Sequence, residues 1–178
     1  MHETPEEIEQ LQQIIARGIE SAGPFLRRSF EMPEHSLSAE ELLAVFDGRR
    51  TVALATATRA GAPRVAPIGC LLIGGIFYVP TTRTAARYRM IERRPEVSLT
   101  AFDGVDLAVI VHGRARTLHD GAPLFERIDM IQRELGHESV RTWGEPGDGC
   151  YLAIEPETIL TYTRHRSTGN GLPQEKPR

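Results

Sequence analysis

TVALATATRAGAPRVAPIGCLLIGGIFYVPT (residues 51–81) is the stretch that decides the fold of this chain. Three runs of alternating or β-branched residues within it are predicted strands: 51–58, 64–73 and 76–81. The loops between them, Arg59 to Pro63 and Gly74–Gly75, are short enough for hairpins. Neighbouring strands are therefore expected to pair antiparallel.

The strand pattern continues downstream of this stretch. Further strands are predicted at 96–102 and 106–117, with Asp103–Gly104 opening the turn between them. The segment YLAIEPETILTYTR (151–164) predicts a final strand or a pair of strands. About six antiparallel strands with short turns tend to close into a small barrel, because closure removes exposed edges. The sequence thus predicts a mainly β protein with flanking helices.

Helical patterns flank and interrupt the predicted strands. They cover 5–21, 37–48, 82–94 and 121–136. The second has the clearest signals, because Ser38 and Glu41 form a capping box and Gly48 supplies a stop. The third has to end before Pro95, since proline disfavours the helical region for the residue that precedes it. Residues 22–36, which contain a glycine and two prolines, are predicted to be a connector.

A length of 178 residues suits one domain with an appendage. We expect an N-terminal helical extension at 1–36, a barrel domain at 37–164 and a disordered tail at 165–178. The extension is assigned a packing role only.

Composition excludes several classes of function. The net charge of -3 argues against nucleic acid as the main partner, and no stretch is long and apolar enough to span a membrane. Because the acidic N-terminus does not match a signal peptide, a soluble cytoplasmic protein is expected. Cys70 and Cys150 are expected in the core, since they form neither a disulfide framework nor a zinc motif. The scattered histidines predict no metal site.

The stretch PTTRTAARYRMIERRP (80–95) holds five arginines in an acidic chain. If a helix begins near residue 82, its free N–H groups lie beside Thr81, Thr82, Arg83 and Arg87. Helix N-termini and arginine side chains both bind phosphate oxygens, so this cluster is a candidate phosphate site. A solvated charged face remains the alternative interpretation of the pattern.

Four stretches together resemble the pyridoxamine 5'-phosphate oxidase-like family, the flavin and deazaflavin split β-barrels, in its actinobacterial branches. They are LSAEELLAVFDGRRTVALATAT, GAPRVAPIGCLL, FYVPTTRTAARYRMIERRPEVSLT and LAVIVHGRARTL, in that order. The resemblance implies a six-stranded antiparallel split β-barrel and a homodimer that binds a flavin-type cofactor at the subunit interface.

The resemblance also implies positions for the cofactor. The phosphate is expected beside Thr81, Thr82, Arg83 and Arg87, and the ring beside Arg64, Val65, Ala66 and Pro67. Proline cannot donate to a sheet ladder, so the strand at Pro67 is expected to be unpaired or bulged there, or simply at an edge. The chain departs from many relatives at Arg87, where they have lysine, and at Met90, where they have asparagine.

The expected function is an oxidoreductase that binds FMN and transfers hydride or electrons to a small organic molecule. The cofactor would supply the chemistry, so no catalytic side chain is assigned. A 5-deazaflavin (F420) is the alternative cofactor, because its long acidic tail suits Arg89, Arg93 and Arg94. Pyridoxamine 5'-phosphate oxidase activity itself is not expected, since that enzyme's substrate-binding pattern cannot be placed on the C-terminal part.

Two further classes of function are compatible with a small barrel. A non-catalytic cofactor or tetrapyrrole carrier on the same barrel remains an alternative. A barrel that binds single-stranded nucleic acid ranks last, because only 6% of the residues are aromatic and stacking platforms are needed. His112 shares a strand face with Arg114 and Arg116, and this pattern fits a surface or interface histidine better than a proton donor.

Overall fold

The computed structural model describes residues 3–165. The tail predicted to be disordered, 165–178, lies outside this range apart from His165. The helices are α1 (Pro5–Ser21), α2 (Pro24–Ser29), α3 (Ala39–Val45), α4 (Ala86–Ile91) and α5 (Pro123–Glu134), with a 3-10 turn at Val140–Thr142. The strands are β1 (Arg50–Ala57), β2 (Pro63–Ile73), β3 (Ile76–Thr82), β4 (Glu96–Asp103), β5 (Leu107–Leu118) and β6 (Gly149–Thr163).

The six strands form a closed antiparallel barrel in the order β1-β2-β3-β6-β5-β4. This confirms the predicted fold class. Along each strand the side chains alternate between the barrel interior and the outside. Leu54, Leu99 and Val111, which are paired neighbours on three strands, are at most 3% exposed and lie in the main core.

The barrel is split between β2 and β3. These strands pair only at the hairpin, where Leu71, Leu72 and Ile73 face β3. On its other edge β3 pairs with β6 from Phe77 to Thr82, whereas β2 continues along β1 as far as Pro63. Within residues 3–165, no strand pairs with the second edge of 63–70. This free edge is the main irregularity of the sheet.

The C-terminal segment is a single fifteen-residue strand, β6, and not a pair of strands. It lies between β3 and β5 and joins them. Its register against β5 shifts between His112 and Gly113. A side chain at Gly113 would collide with the backbone oxygen of Glu155, so the close approach of the two strands there needs glycine.

Helix α1 packs directly on β6. Leu11 and Ile15 are 1% exposed and belong to the same core cluster as the barrel interior. Gly18 lies so close to Ile159 that an added Cβ would overlap the carbonyl oxygen of that residue. Residues of the N-terminal extension thus complete the barrel core.

The prediction of a connector at 22–36 is wrong, because α2 lies within it. Pro24 occupies the first helical turn, a position where its missing N–H costs nothing. Arg27 then donates from its side chain to the carbonyls of Ala22 and Glu20 at 2.9 and 2.8 Å. The proline therefore starts a helix where it was interpreted as a break.

A second apolar cluster lies outside the barrel beneath α5. Phe125 and Ile128 of this helix pack against Tyr78, Leu118 and Tyr151 on the outer side of the sheet. None of the helices within residues 3–165 is long and apolar enough to cross a lipid bilayer.

Candidate functional site

Helix α4 is shorter than predicted. It was expected at 82–94 but covers only Ala86–Ile91, and no side chain caps its first turn. Thr82 remains in β3, opposite Gly149, and the backbone N–H of Arg83 donates to the backbone carbonyl of Asp148 at 2.9 Å. These backbone groups of Thr82 and Arg83 were expected to be free at a helix N-terminus, but they are used in pairing with β6 and its flanking loop. The donors available to a phosphate are therefore mainly side chains.

Thr81 and Arg87, two of the predicted phosphate residues, are in contact. The Arg87 guanidinium donates from Nη1 to Thr81 Oγ1 at 3.3 Å. Thr81 is 1% exposed, whereas Arg83 is exposed on the turn that follows β3. The hydroxyls of Thr82 and Thr84 lie 3.0 Å apart. Thr81 thus holds Arg87 in place, while the outer surface of the turn presents Thr82 and Arg83.

The arginines around α4 form no ion pair with a carboxylate within residues 3–165. They are Arg59, Arg64, Arg83, Arg87, Arg89, Arg93 and Arg94. Glu92, the one acidic residue in 80–95, accepts a hydrogen bond from Thr117 at 2.8 Å. By contrast, Arg114 and Arg116 on β5 each pair with a glutamate. This concentration of unpaired cations is suited to an anionic ligand.

Helix α4 connects the two sides of the split. Its Met90 sulfur accepts a hydrogen bond from Thr56 of β1 at 3.4 Å. Thr56 is in turn the pairing partner of Arg64 on β2. Just beyond the helix, Arg94 donates to the carbonyl of Arg59 in the β1–β2 turn at 3.2 Å. Helix α4 therefore follows residues 81–85 directly and is separated from Arg64 of β2 by Thr56 of β1.

The predicted ring residues Arg64 to Pro67 lie on the stretch of β2 with the free edge. Their side chains alternate, so Val65 and Pro67 face outward while Arg64 and Ala66 point to the other side. Val65 is 69% exposed. Pro67 pairs with Ala53 without a register shift, so the strand is not bulged there. Its missing N–H is tolerated because β2 has only one partner at this point.

Four strands present a continuous outward surface, which we call the open face. Its members are Ala53, Ala55, Val65, Pro67, Ser98, Thr100, Ile110 and His112. None of these eight side chains is buried, and most are small or apolar. One row of paired neighbours crosses it from β2 to β5, through Val65, Ala55, Ser98 and His112.

A polar pair lies within the open face. Ser98 Oγ and His112 Nδ1 are 2.7 Å apart. Sequence reasoning identified His112 but missed Ser98, because the register that brings β4 and β5 together cannot be read from either strand alone. The only sign of Ser98 in the sequence was a polar residue at the third position of the predicted strand 96–102.

Two cavities lie away from these residues. One of about 240 Å³ is enclosed by α3, the end of β2 and α5, and is lined by Leu43, Phe46, Leu72 and Ile131 among others. A shallower depression lies on α1. Neither includes any of the eight predicted cofactor residues. Within residues 3–165, no group of three His, Cys, Asp or Glu side chains is placed to hold a metal ion.

Both cysteines are buried, as predicted. Cys150 is the pairing partner of Thr81, next to the arginine cluster. Burial raises the pKa of the Cys150 thiol to about 11, although the positive charge of Arg83 opposes the shift. A thiol that stays protonated is a poor nucleophile, so the geometry gives Cys150 a packing role.

Solved structures share this fold at low sequence identity. General Stress Protein 26 from Bacillus anthracis str. Sterne matches with a TM-score of 0.56 and 22% identity, over 69% of this chain and 92% of that one. An F420 reductase matches with a TM-score of 0.54 and 17% identity, over 65% and 93%. HupZ from Group A Streptococcus matches with a TM-score of 0.55 and 17% identity, over 73% and 98%.

No curated protein sequence matches this chain. The family model described as pyridoxamine 5'-phosphate oxidase, in contrast, matches residues 38–163, which include all six strands and α3 to α5. Because this match covers more than half of the 178 residues, the chain belongs to the pyridoxamine 5'-phosphate oxidase family.

Proposed function

We propose that this protein is an oxidoreductase that binds FMN as its cofactor and transfers hydride or electrons to a small organic molecule. The observation that carries the proposal is the group of arginines around α4 without carboxylate partners in the described part of the chain. An arginine fork binds two phosphate oxygens at once, and such charge-assisted hydrogen bonds are among the strongest that proteins make. The family match supports the choice of a flavin-type cofactor.

Three residues are assigned to the phosphate. Thr82 is the last residue of β3, Arg83 lies on the turn after it, and Arg87 reaches this turn from the first helical turn of α4. Thr81 serves as a positioning residue, because its buried hydroxyl already accepts from Arg87. Since α4 has only six residues, the proposal rests on these side chains and not on a helix dipole.

The ring is assigned to the free edge of β2. Backbone N–H and C=O groups of residues 64–67 that β1 does not use are available to polar atoms of a ring. Pro67 has no backbone N–H, so at this position the backbone can accept a hydrogen bond through its carbonyl but cannot donate one. When bound, the flavin supplies hydride or electron transfer. The protein binds and orients it, and no side chain is assigned a catalytic role.

A homodimer forms part of the proposal. Binding sites for small ligands usually enclose most of the ligand. Val65 and Pro67, beside which the ring is placed, lie on an open surface that would leave the ring exposed in a single chain. A second copy packed on the open face would supply the missing wall. The small and apolar composition of this face suits such a contact. A cytoplasmic location also remains part of the proposal.

An F420 deazaflavin is the second candidate cofactor. Arg89 and Arg94 donate to the carbonyls of Thr84 and Arg59, at 2.6 and 3.2 Å, and not to carboxylates. Their charge thus remains available to an acidic tail longer than one phosphate. One protein with a similar fold is an F420 reductase, which is the reason for naming F420 as the alternative cofactor.

The absorption spectrum of the freshly purified protein, with mass spectrometry of the released ligand, tests the proposal. A flavin spectrum and released FMN are expected. A released deazaflavin would move the assignment to the second candidate, and a haem-like band would favour a non-catalytic carrier. A colourless protein would be titrated with FMN and F420, and failure to bind either would contradict the proposal.

A further inference from the structure

We infer that Arg49 binds a carboxylate group of the substrate, so that the small organic molecule of the proposed reaction is an organic acid. This inference rests on the proposed function and deepens it, because it names the class of substrate. Its starting point is the guanidinium of Arg49, which lies against the strand assigned to the ring. Within residues 3–165, this exposed side chain forms no ion pair and no hydrogen bond.

Arg49 occupies a space that Gly69 of β2 leaves open. A Cβ added to Gly69 would overlap Nε of Arg49 and lie 2.8 Å from Cζ. The guanidinium thus fills the position that a side chain at residue 69 would take. Glycine inside a strand often marks a place where another group has to approach the backbone closely.

The guanidinium lies on the same side of the sheet as the predicted ring residues. Strands β1 and β2 pair from Pro63 to Cys70 without a register shift, so their side chains alternate regularly. Gly69 is two residues beyond Pro67 and faces the same side. Its pairing partner is Thr51, and Arg49 lies two residues before Thr51. Arg49 therefore covers β2 directly after the stretch 64–67.

This cation is separate from the arginines around α4. Helix α4 contacts β1 at Thr56, which pairs with Arg64 near the start of β2. Gly69 lies five residues further along the strand, at roughly 17 Å from Arg64. With the ring beside 64–67, Arg49 lies at the end of the ring stretch that is away from α4. A molecule that exchanges hydride or electrons with the ring has to contact it, and Arg49 borders the space for this contact.

The chemistry of a free guanidinium favours a carboxylate. Its five N–H donors are arranged in a plane, and two of them can bind both oxygens of a carboxylate at once. Asp47, the acidic residue nearest to Arg49 in the sequence, forms no ion pair with it. The full donor set of Arg49 is therefore available to an acidic group of the substrate.

Titration of the FMN-loaded protein with small acids tests this assignment. Acetate, benzoate and succinate are each compared with the corresponding amide, acetamide, benzamide and succinamide. Binding is followed through the absorption spectrum of the flavin, which changes when a molecule contacts the ring. Arg49→Met removes the guanidinium and keeps a long side chain. Arg50→Met is the matched control, because it removes the same charge one residue away from an arginine that donates to the carbonyl of Val45.

The wild type is expected to bind at least one of the three acids about ten-fold or more tightly than its amide. Arg49→Met should lose this preference and keep its FMN affinity within about two-fold, whereas Arg50→Met should retain the preference. Gly69→Ala gives an independent check. Its added Cβ meets only the flexible end of Arg49, so the fold should persist while the guanidinium is displaced and the preference for the acid falls.

Other outcomes would overturn the assignment. Equal affinities for every acid and its amide in the wild type would remove the carboxylate site. A preference that persists in Arg49→Met would place the acidic group elsewhere, and a loss of FMN affinity in this variant would make Arg49 a cofactor residue instead. Failure of the wild type to bind FMN or F420 would refute the proposed function and this inference with it. If Arg49→Met melts at a lower temperature, Arg49→Gln takes its place.

Discussion

Arg87 donates a hydrogen bond from Nη1 to Thr81 Oγ1 at 3.3 Å, across the turn that joins β3 to α4. Thr81 is 1% exposed, so its hydroxyl contacts the arginine and not the solvent. The family resemblance predicts lysine at position 87 in many relatives, where this chain has arginine. A guanidinium has several N–H donors, so Arg87 can bind a hydroxyl and an anion at the same time. If Arg87 binds the cofactor phosphate as proposed, this contact gives Thr81 an indirect role in cofactor binding.

Thr81→Val tests this role. The substitution keeps the shape of the side chain but removes the acceptor for Arg87. We expect FMN affinity to fall about five-fold, in line with roughly 1 kcal/mol for one hydrogen bond. Fluorescence titration measures it, with Thr81→Ser as the matched control that keeps the hydroxyl. Equal affinity of wild type and Thr81→Val would show that Arg87 needs no such support.

Gly18→Ala tests the packing of the N-terminal extension on the barrel. Alanine is normally the better helix former, yet a Cβ at this position would overlap the Ile159 carbonyl oxygen. We expect a loss of about 1–3 kcal/mol in the free energy of unfolding, measured by urea denaturation, because α1 has to move away from β6. Gly23→Ala is the control, since nothing lies within 4 Å of its added Cβ. Stabilisation by Gly18→Ala would contradict the close contact.

Tyr151→Phe tests the pH dependence of stability. Burial raises the pKa of the Tyr151 hydroxyl, and the negative charge of Asp129, which accepts its hydrogen bond at 3.0 Å, raises it further. Below pH of about 10 the tyrosine is protonated in both folded and unfolded chains. Above that pH the unfolded chain loses the proton while the folded chain keeps it, so stability falls as pH rises.

Denaturation of wild type and Tyr151→Phe between pH 8 and 11 measures the effect. The variant is expected to be less stable at neutral pH, because it lacks the hydrogen bond to Asp129. Above pH of about 10 its stability should fall less steeply, by up to about 1.4 kcal/mol per pH unit. Cys70 and Cys150, whose thiols also have pKa values raised by burial, contribute in both proteins. Parallel curves of stability against pH for wild type and Tyr151→Phe would show that Tyr151 does not cause this pH dependence.

Local sequence signals predicted most of the barrel. Alternating residues and hairpin-sized turns identified β1 to β5 within one residue at each end. Helix α3 was equally clear, because its capping box forms as expected between Ser38 and Glu41. At α4 the prediction was wrong in extent, since pairing of Thr82 with Gly149 of distant β6 keeps the chain extended. Contacts between remote segments of this kind have no local signature.

The candidate site was predictable in composition but not in arrangement. The arginines and threonines of 80–95 are visible in the sequence, whereas the burial of Thr81 depends on β6. The row from Val65 to His112 depends on three strand pairings, one of which joins β1 to β4 across two intervening strands and a helix. A shift of one residue in any one of these registers would place the side chains of Val65 and His112 on opposite faces of the sheet.

The central claim is that Arg83 and Arg87 hold the phosphate of a flavin nucleotide. Comparing the affinities of FMN and riboflavin, which lacks the phosphate, tests it most directly. Wild type is expected to prefer FMN by about 100-fold or more, since hydrogen bonds between charged groups contribute roughly 1.5–3 kcal/mol each. The variant with Arg83→Ala and Arg87→Ala should bind both ligands with the riboflavin affinity of wild type. Arg114→Ala with Arg116→Ala, which removes arginines already paired with Glu96 and Glu155, should keep the preference. An undiminished preference for FMN in the folded Arg83 and Arg87 variant would contradict the account.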